Sequence, residues 1–156
     1  FIRSGGMMML QAFDDEWEPG ASDVVIVSWS SISESTDVEL IQRLKEPEAG
    51  AWGLPGGKID FGERAEDTAR REIEEELGIQ IELTGLACIA ETIDKGDGKH
   101  WVAPVYSARI VSGEPRVMEP QKHGGWGWYA LDNLPDALTT PVRDYLTALD
   151  RMSNPS

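Results

Sequence analysis

The chain has 156 residues, 40 % apolar and 27 % charged, the composition of an ordinary globular protein long enough to bury a sizeable core. Its 14 Lys and Arg against 28 Asp and Glu leave a net charge of −14, a field that repels nucleic-acid backbones and anionic membranes. A role on a nucleic-acid polymer or a membrane surface is therefore disfavoured, and a phosphorylated small molecule needs a bound cation to reverse the local sign.

Phe1 to Gly6 precede a Met7-Met8-Met9 run and read as an expression-vector remnant, leaving 7–156 as one expected domain. Residues 10–22 are acidic with little period and suit a loop or a short edge element. Val24 to Trp29 are nearly all apolar and β-branched, predicting a strand buried on both faces. After a polar turn over Ser30 to Thr36, Val38 to Leu44 alternate, with Val38, Leu40 and Gln42 against Glu39, Ile41 and Arg43, and predict a strand with one wetter face. Pro47 to Gly50 break it, and Trp52 to Leu54 suit a short strand entering a glycine loop.

A helix is expected over about 64–77. Ala65, Ala69, Ile73 and Leu77 recur every fourth residue as its core stripe, and Gly78 stands where a C-cap is needed. Ile79 to Leu83 and Leu86 to Ile93 read as strands, Asp94 to Lys99 as a turn, and His100 to Val111 as a long strand. Trp126 to Leu131 suit another strand. Thr140 caps a last helix that opens with Pro141 and buries Val142, Tyr145, Leu146, Leu149 and Met152. Strands and helices interleave with hairpin signals, which favours an α/β class with a mixed sheet between helices. The single cysteine, Cys88, sits in an apolar run and behaves as a small hydrophobe. One cysteine permits no disulfide within the chain, in keeping with a reducing, cytoplasmic setting. No apolar run is long enough to span a bilayer and no secretory signal is apparent.

The most informative stretch is the glycine loop and the helix after it. Glu72, Glu75 and Glu76 stand at i, i+3 and i+4, which places three carboxylates on one helix face. Like charges so close repel unless a cation sits among them, and hard oxygen donors without thiol or imidazole suit Mg²⁺ or Mn²⁺. A glutamate-rich helix is more often a solvated face, the reading that fits Glu66, Asp67 and Glu74. The glycines and the Arg-Glu step around Glu72 tip the balance toward a site.

Gly57, Glu63, Arg71, Glu72, Ile73, Glu75, Glu76, Gly78 and Ile79 fill nine specified positions within residues 57–79. This spacing resembles the Nudix box, the signature of the Nudix (MutT-like) hydrolases. Leu54-Pro55-Gly56 before it and Gly-Trp-Gly-Trp-Tyr-Ala-Leu near the end extend the likeness over most of the chain. The resemblance implies the Nudix fold, a mixed sheet in an α/β/α sandwich. It also implies Mg²⁺ (or Mn²⁺) as cofactor, and a small-molecule nucleotide as the partner. A homodimer is compatible with it, since many relatives are dimers.

The resemblance also implies roles for individual residues. Glu72 and Glu76 would be the principal metal ligands, with the Gly57 carbonyl completing the shell and Glu75 a third ligand or the holder of a metal-bound water. Arg71 would pair with a box carboxylate and fix its rotamer, and Glu63 would reach that cluster if the loop folds back. Asp60 stands where relatives commonly carry a glutamate. The general base has several candidates: Glu75, Glu91, Glu119, Asp94 and Asp97. Relatives often have acidic residues just after the late His and between the two Trp, where this chain has Gly124 and Gly127. Glu119 is then the nearest acid, and His123 reads as a surface or loop-packing residue rather than a base. Trp101, Trp126, Trp128 or Trp29 could stack a nucleobase, although core packing explains any one Trp as well. Arg43, Lys58 and Arg70 are candidate phosphate contacts. The reaction implied is metal-assisted hydrolysis of the pyrophosphate bond of a nucleoside diphosphate linked to X, a (d)NTP giving NMP and pyrophosphate. An ADP-ribose or sugar-nucleotide hydrolase is the alternative, and a non-catalytic Nudix nucleotide sensor the non-enzyme one. Isopentenyl diphosphate isomerase shares the fold, but its extra His and Cys site has no counterpart here. The Asp94–Asp97 loop is too short for an EF-hand.

Overall fold

A computed structural model describes residues 25–27, 37–46, 48–95 and 99–154. The described elements are β1 (Val25–Val27), β2 (Asp37–Arg43), β3 (Trp52–Gly53), β4 (Gly56–Lys58), α1 (Ala65–Leu77), β5 (Gln80–Asp94), β6 (Lys99–Ser112), β7 (His123–Ala130) and α2 (Thr140–Ser153). Antiparallel ladders join β1 to β4, β2 to both β3 and β7, and β5 to β6. A parallel bridge from Trp52 to Leu138 ties β3 to the segment before α2. The expectations for residues 10–22 and 30–36, for Trp29 and for Asp97 fall outside the described residues.

Strand β2 organises the core because its two faces feed different clusters. Val38 and Leu40 pack with Leu54, Ala103, Val105 and the α2 residues Val142 and Tyr145. Ile41, one step out of phase, packs with Ile73 and Leu77 of α1 and with Ile79, Ile81 and Ala108. Side chains alternate across a strand, so the two clusters and their helices lie on opposite faces of β2, the layering of an α/β/α sandwich. The four-residue stripe of α1 is what docks it: Ala69, Ile73 and Leu77 are buried and Ala65 packs beside Ala69. Gly78 ends the helix at φ 69°, where its N–H donates to the Glu74 carbonyl at 2.9 Å.

Several expectations are corrected. Neither face of β2 is wet over Val38 to Ile41: Glu39 is 0 % exposed because α1 covers its face. Strand β5 runs unbroken where two strands were expected, since bulges at Leu83/Gly85 and Leu86/Cys88 absorb the change of phase without ending the ladder. The glycine loop itself forms a strand, β4, and β7 begins three residues earlier than the sequence predicts, at His123. In α2 the N-cap is Thr139 rather than Thr140. The N–H and hydroxyl of Thr140 both donate to Glu48 Oε1 at 2.9 Å, so a distant carboxylate satisfies the helix start. Met152, expected in the core, is 71 % exposed in the last turn of α2.

The connection from β6 to β7 closes on the end of α1. The N–H groups of Arg116 and Met118 donate to the carbonyls of Leu77 and Glu76 there. A tight turn then carries the N–H groups of Lys122 and His123 to the Glu119 carbonyl. These bonds satisfy open carbonyls at the end of α1 and bring Glu119 and His123 beside Glu76, with Lys122 paired to Glu119.

Candidate active site

Arg71 is the hub that joins the loop to the helix. It grips Glu63 through two nitrogens, Nε to Oε1 at 2.9 Å and Nη2 to Oε2 at 3.0 Å, the bidentate geometry a guanidinium favours. Its Nη1 donates to Glu72 at 2.7 Å and to Glu75 at 3.2 Å, and Nη2 also donates to the Lys58 carbonyl. Glu63 further accepts from the Thr68 hydroxyl and the Asp60 N–H, and its carboxyl falls to a pKa of about 2, chiefly through the Arg71 contact. The loop does fold back, and it brings Glu63 to Arg71. Asp60 lies 3.6 Å from the same guanidinium.

On the inner side of the helix the carboxylates lose water. Glu76 is 5 % exposed; burial pushes its pKa up to about 8, against one stabilising bond from the Gly56 N–H at 2.9 Å. Burial also raises Glu72, which Arg71 partly offsets. A methyl group at Gly57 would sit 2.3 Å from the Glu72 carboxyl carbon, so any larger residue would have to displace that carboxylate, which Arg71 holds. Glu75 points to the wetter side, half exposed and paired with Arg71. Among the described residues the three metal-capable side chains whose donor atoms converge within 4.8 Å are Glu76, Glu119 and His123. Coulomb repulsion and the pull of Arg71 explain why Glu72 and Glu75 do not converge on Glu76.

A cleft of about 560 Å³ opens over this face, with Gly57, Glu72, Glu76 and His123 at one end and Trp101 and Pro141 among its other walls. Arg43, Lys58 and Trp101, expected to contact substrate, all line it. Trp126, expected there too, packs instead against the Ile41, Ile73 and Leu77 cluster, because its register opposite Ile41 turns it toward α1. Glu119 stands beside Glu76 and pairs with Lys122 at 2.8 Å, which makes it a neighbour of the carboxylate cluster rather than a cleft wall. Arg70 is spent on Asp67 and Glu66 on the outer face of α1. Glu91 lines a separate small hollow with Cys88 and Asp144 and lies 3.5 Å from His100.

The NUDIX domain model matches residues 23–149. The chain belongs to the NUDIX domain family. It is 31 % identical over 135 residues to a putative 8-oxo-dGTP diphosphatase 2 of Mycobacterium tuberculosis, covering 84 % of this chain and 92 % of that protein. It is 29 % identical over 104 residues to an ADP-ribose pyrophosphatase of Methanocaldococcus jannaschii, covering 67 % of this chain and 60 % of that one. It spans only 32 % of the human and mouse relatives that it matches. The crystal structure of a MutT NUDIX hydrolase from Burkholderia pseudomallei superposes with a TM-score of 0.79 at 47 % identity, over 83 % of this chain and 99 % of that one.

The group a NUDIX domain implies is a divalent cation, and the donors here fit one. Two desolvated carboxylates, Glu72 and Glu76, repel each other in a cleft, and Gly57 passes the Glu72 carboxylate with no room for a Cβ between them. Lys122 and His123 are among the cleft residues that sequence reasoning missed: Lys122 carries no signal of its own, and His123, read as a surface or loop residue, is buried. The one available signal was the Glu119–His123 segment, whose side chains gain their place only when its backbone closes on the end of α1.

Proposed function

We propose that this NUDIX domain is a Mg²⁺-dependent hydrolase that cleaves the pyrophosphate bond of a nucleotide, with a (d)NTP giving NMP and pyrophosphate as the first substrate class. The observation that carries this is one cleft that unites the carboxylates Glu72 and Glu76 with the cations Arg43, Lys58 and Lys122 and the aromatic Trp101. Glu72, Glu76 and the Gly57 carbonyl would hold the cation. When bound, it neutralises phosphate charge and lowers the pKa of water. Arg43, Lys58 and Lys122 neutralise the remaining phosphate oxygens, and Trp101 offers an apolar wall for a base. Arg71 keeps Glu72 and Glu75 in fixed rotamers, a positioning role. The 8-oxo-dGTP name of the mycobacterial relative makes oxidised purine triphosphates the first to assay. The ADP-ribose name of the archaeal relative keeps hydrolysis of ADP-ribose as the second reading.

The test is phosphate release across canonical and oxidised (d)NTPs with pyrophosphatase added, and across ADP-ribose and sugar nucleotides with alkaline phosphatase added to split their monophosphate products, each in Mg²⁺, Mn²⁺ or EDTA. One preferred substrate is expected, with turnover abolished by EDTA and reduced about 10²-fold or more by Glu76→Gln. Tight nucleotide binding without turnover of any substrate would replace the hydrolase with a nucleotide sensor.

A further inference from the structure

We propose that Glu48 is a positioning residue for nucleotide binding: its carboxylate clasps the β2–β3 turn to the start of α2 and so holds the cleft wall that receives the substrate beyond its pyrophosphate. The inference rests on the hydrolase reading only for the class of ligand, a nucleotide. Three hydrogen bonds from α2 end on Glu48 Oε1, from the Thr140 N–H and hydroxyl at 2.9 Å and from Arg143 Nη2 at 3.4 Å. Arg143 also donates to the Thr140 hydroxyl at 3.2 Å, which braces the helix side of the clasp. Glu48 lines the large cleft together with Glu46 of its own turn and with Thr139 and Pro141 at the start of α2. With the pyrophosphate held at Gly57, Glu72 and Glu76, this wall and Trp101 are left to the rest of the nucleotide.

Two features say that the clasp does more than start a helix. Thr139 stands at the N-cap and is of a type that caps well, yet its side chain makes no cap bond. It packs instead against β3, where a Cβ on Gly53 would meet it at 3.1 Å, and the cap passes to a residue on the far turn. Glu48 also has φ 62°, a backbone that glycine adopts freely and a residue with a Cβ adopts only under strain. A turn that merely joined β2 to β3 would be better served by glycine there, as it is at Gly50 with φ 84°. What glycine lacks is the side chain that reaches α2, so the strain accompanies the clasp. Arg43 does not depend on it, because the β2–β7 ladder holds Arg43 opposite His123.

Two substitutions separate the clasp from the fold. Glu48→Gly relieves the left-handed strain and removes the clasp, whereas Glu48→Gln keeps the strain and an amide oxygen that accepts from Thr140. The probes are analogues of dGTP and ADP-ribose with a methylene in place of the bridging oxygen of the scissile pyrophosphate, and inorganic pyrophosphate. Each is titrated calorimetrically into the full chain with Mg²⁺. We expect Glu48→Gly to bind the tighter analogue about 10-fold more weakly and Glu48→Gln to stay within about 3-fold of the wild type. Pyrophosphate should bind all three proteins alike. Turnover should split the same way, with KM about 10-fold higher in Glu48→Gly and kcat within about 3-fold. Thr140→Val should weaken the analogue by itself and add nothing in the Glu48→Gly background, and it decides the matter if Glu48→Gly does not fold. Glu48→Gly binding the analogue as well as the wild type, or losing pyrophosphate equally, overturns the proposal; so does a wild type that binds neither analogue. Analogue binding in the expected order without turnover keeps the clasp and removes the hydrolase, and turnover indifferent to Glu48→Gly does the reverse.

Discussion

Burial leaves the Glu39 carboxyl oxygens without a hydrogen-bond partner among the described residues and pushes the pKa up to about 8. That direction sets the sign of its effect on stability. Between the unfolded value near 4.5 and about 8, the folded chain keeps a proton that the unfolded chain has released. Stability therefore falls as pH rises through this window and levels off above it, where both states are ionised. Glu39→Met replaces the acid with an apolar chain of similar length, so it should stabilise the protein by roughly 1–3 kcal/mol near pH 9 and by less near pH 5. Urea unfolding of both proteins at the two pH values checks this, and equal gains at both would show that ionisation is not the cause. Glu63 is the opposite case, its carboxyl lowered to about 2 by Arg71, so its contribution is present at neutral pH and is lost as pH falls from the ordinary glutamate range through that value. Arg71→Lys keeps a charge but loses the two-nitrogen grip. Carboxyl NMR should then show Glu63 titrating closer to an ordinary glutamate, with turnover down about 10- to 100-fold through loss of Glu72 and Glu75 positioning.

The docking of β4 against α1 depends on the one residue that adds no side chain to the gap. Gly57→Ala would drive a methyl into the Glu72 carboxylate, so we expect turnover to fall about 10²-fold or more while circular dichroism and the melting curve change little, the loop being partly exposed. Full activity in this variant would mean that Glu72 works from another rotamer. The sequence makes this loop and helix legible because their signals are local: a stripe at every fourth residue, a left-handed glycine at the end, and glycines where chains meet closely. The positions of Glu39 and His123 are not legible in this way. Alternation correctly puts Glu39 opposite Val38 and Leu40, but only tertiary packing decides that the Ile41 face is covered by α1. His123 sits in a run without period, and its burial depends on backbone bonds from Met118 and Arg116 to a helix end about 40 residues earlier in the chain. Glu48 illustrates the same limit. It has φ 62°, rare for a residue with a side chain, and caps α2 across 92 residues of sequence. Glu48→Ala should cost about 0.5–2 kcal/mol, read as a lower urea midpoint.

At the scale of the molecule, the net charge of −14 and the crowding of Glu72, Glu76 and Glu119 would make the proposed cation a stability partner as well as a chemical one. Glu76 is raised by burial first, while Glu72 and Glu119 repel it further, so the metal-free fold carries a carboxylate it does not favour ionised. A ligand bound only by the folded state stabilises it by about 2.7 kcal/mol when present at 100 times its dissociation constant. For a chain of this size that corresponds to a melting-temperature rise of roughly 5–11 °C. We therefore expect Mg²⁺ or Mn²⁺ to raise the melting temperature of the wild type well beyond the small effect of matched ionic strength from NaCl, which screens exposed charges but reaches buried ones poorly. Glu76→Gln should respond oppositely in the two states. Without metal it should melt at or above the wild type, because the repelled carboxylate is gone and an amide oxygen can still accept from Gly56. With metal it should melt below the wild type, because a ligand is gone. The crossing of those two differences is the informative result: a variant less stable in both conditions would make Glu76 a structural residue, held for its bond to the Gly56 N–H, and would take the cation away from the centre of this cleft.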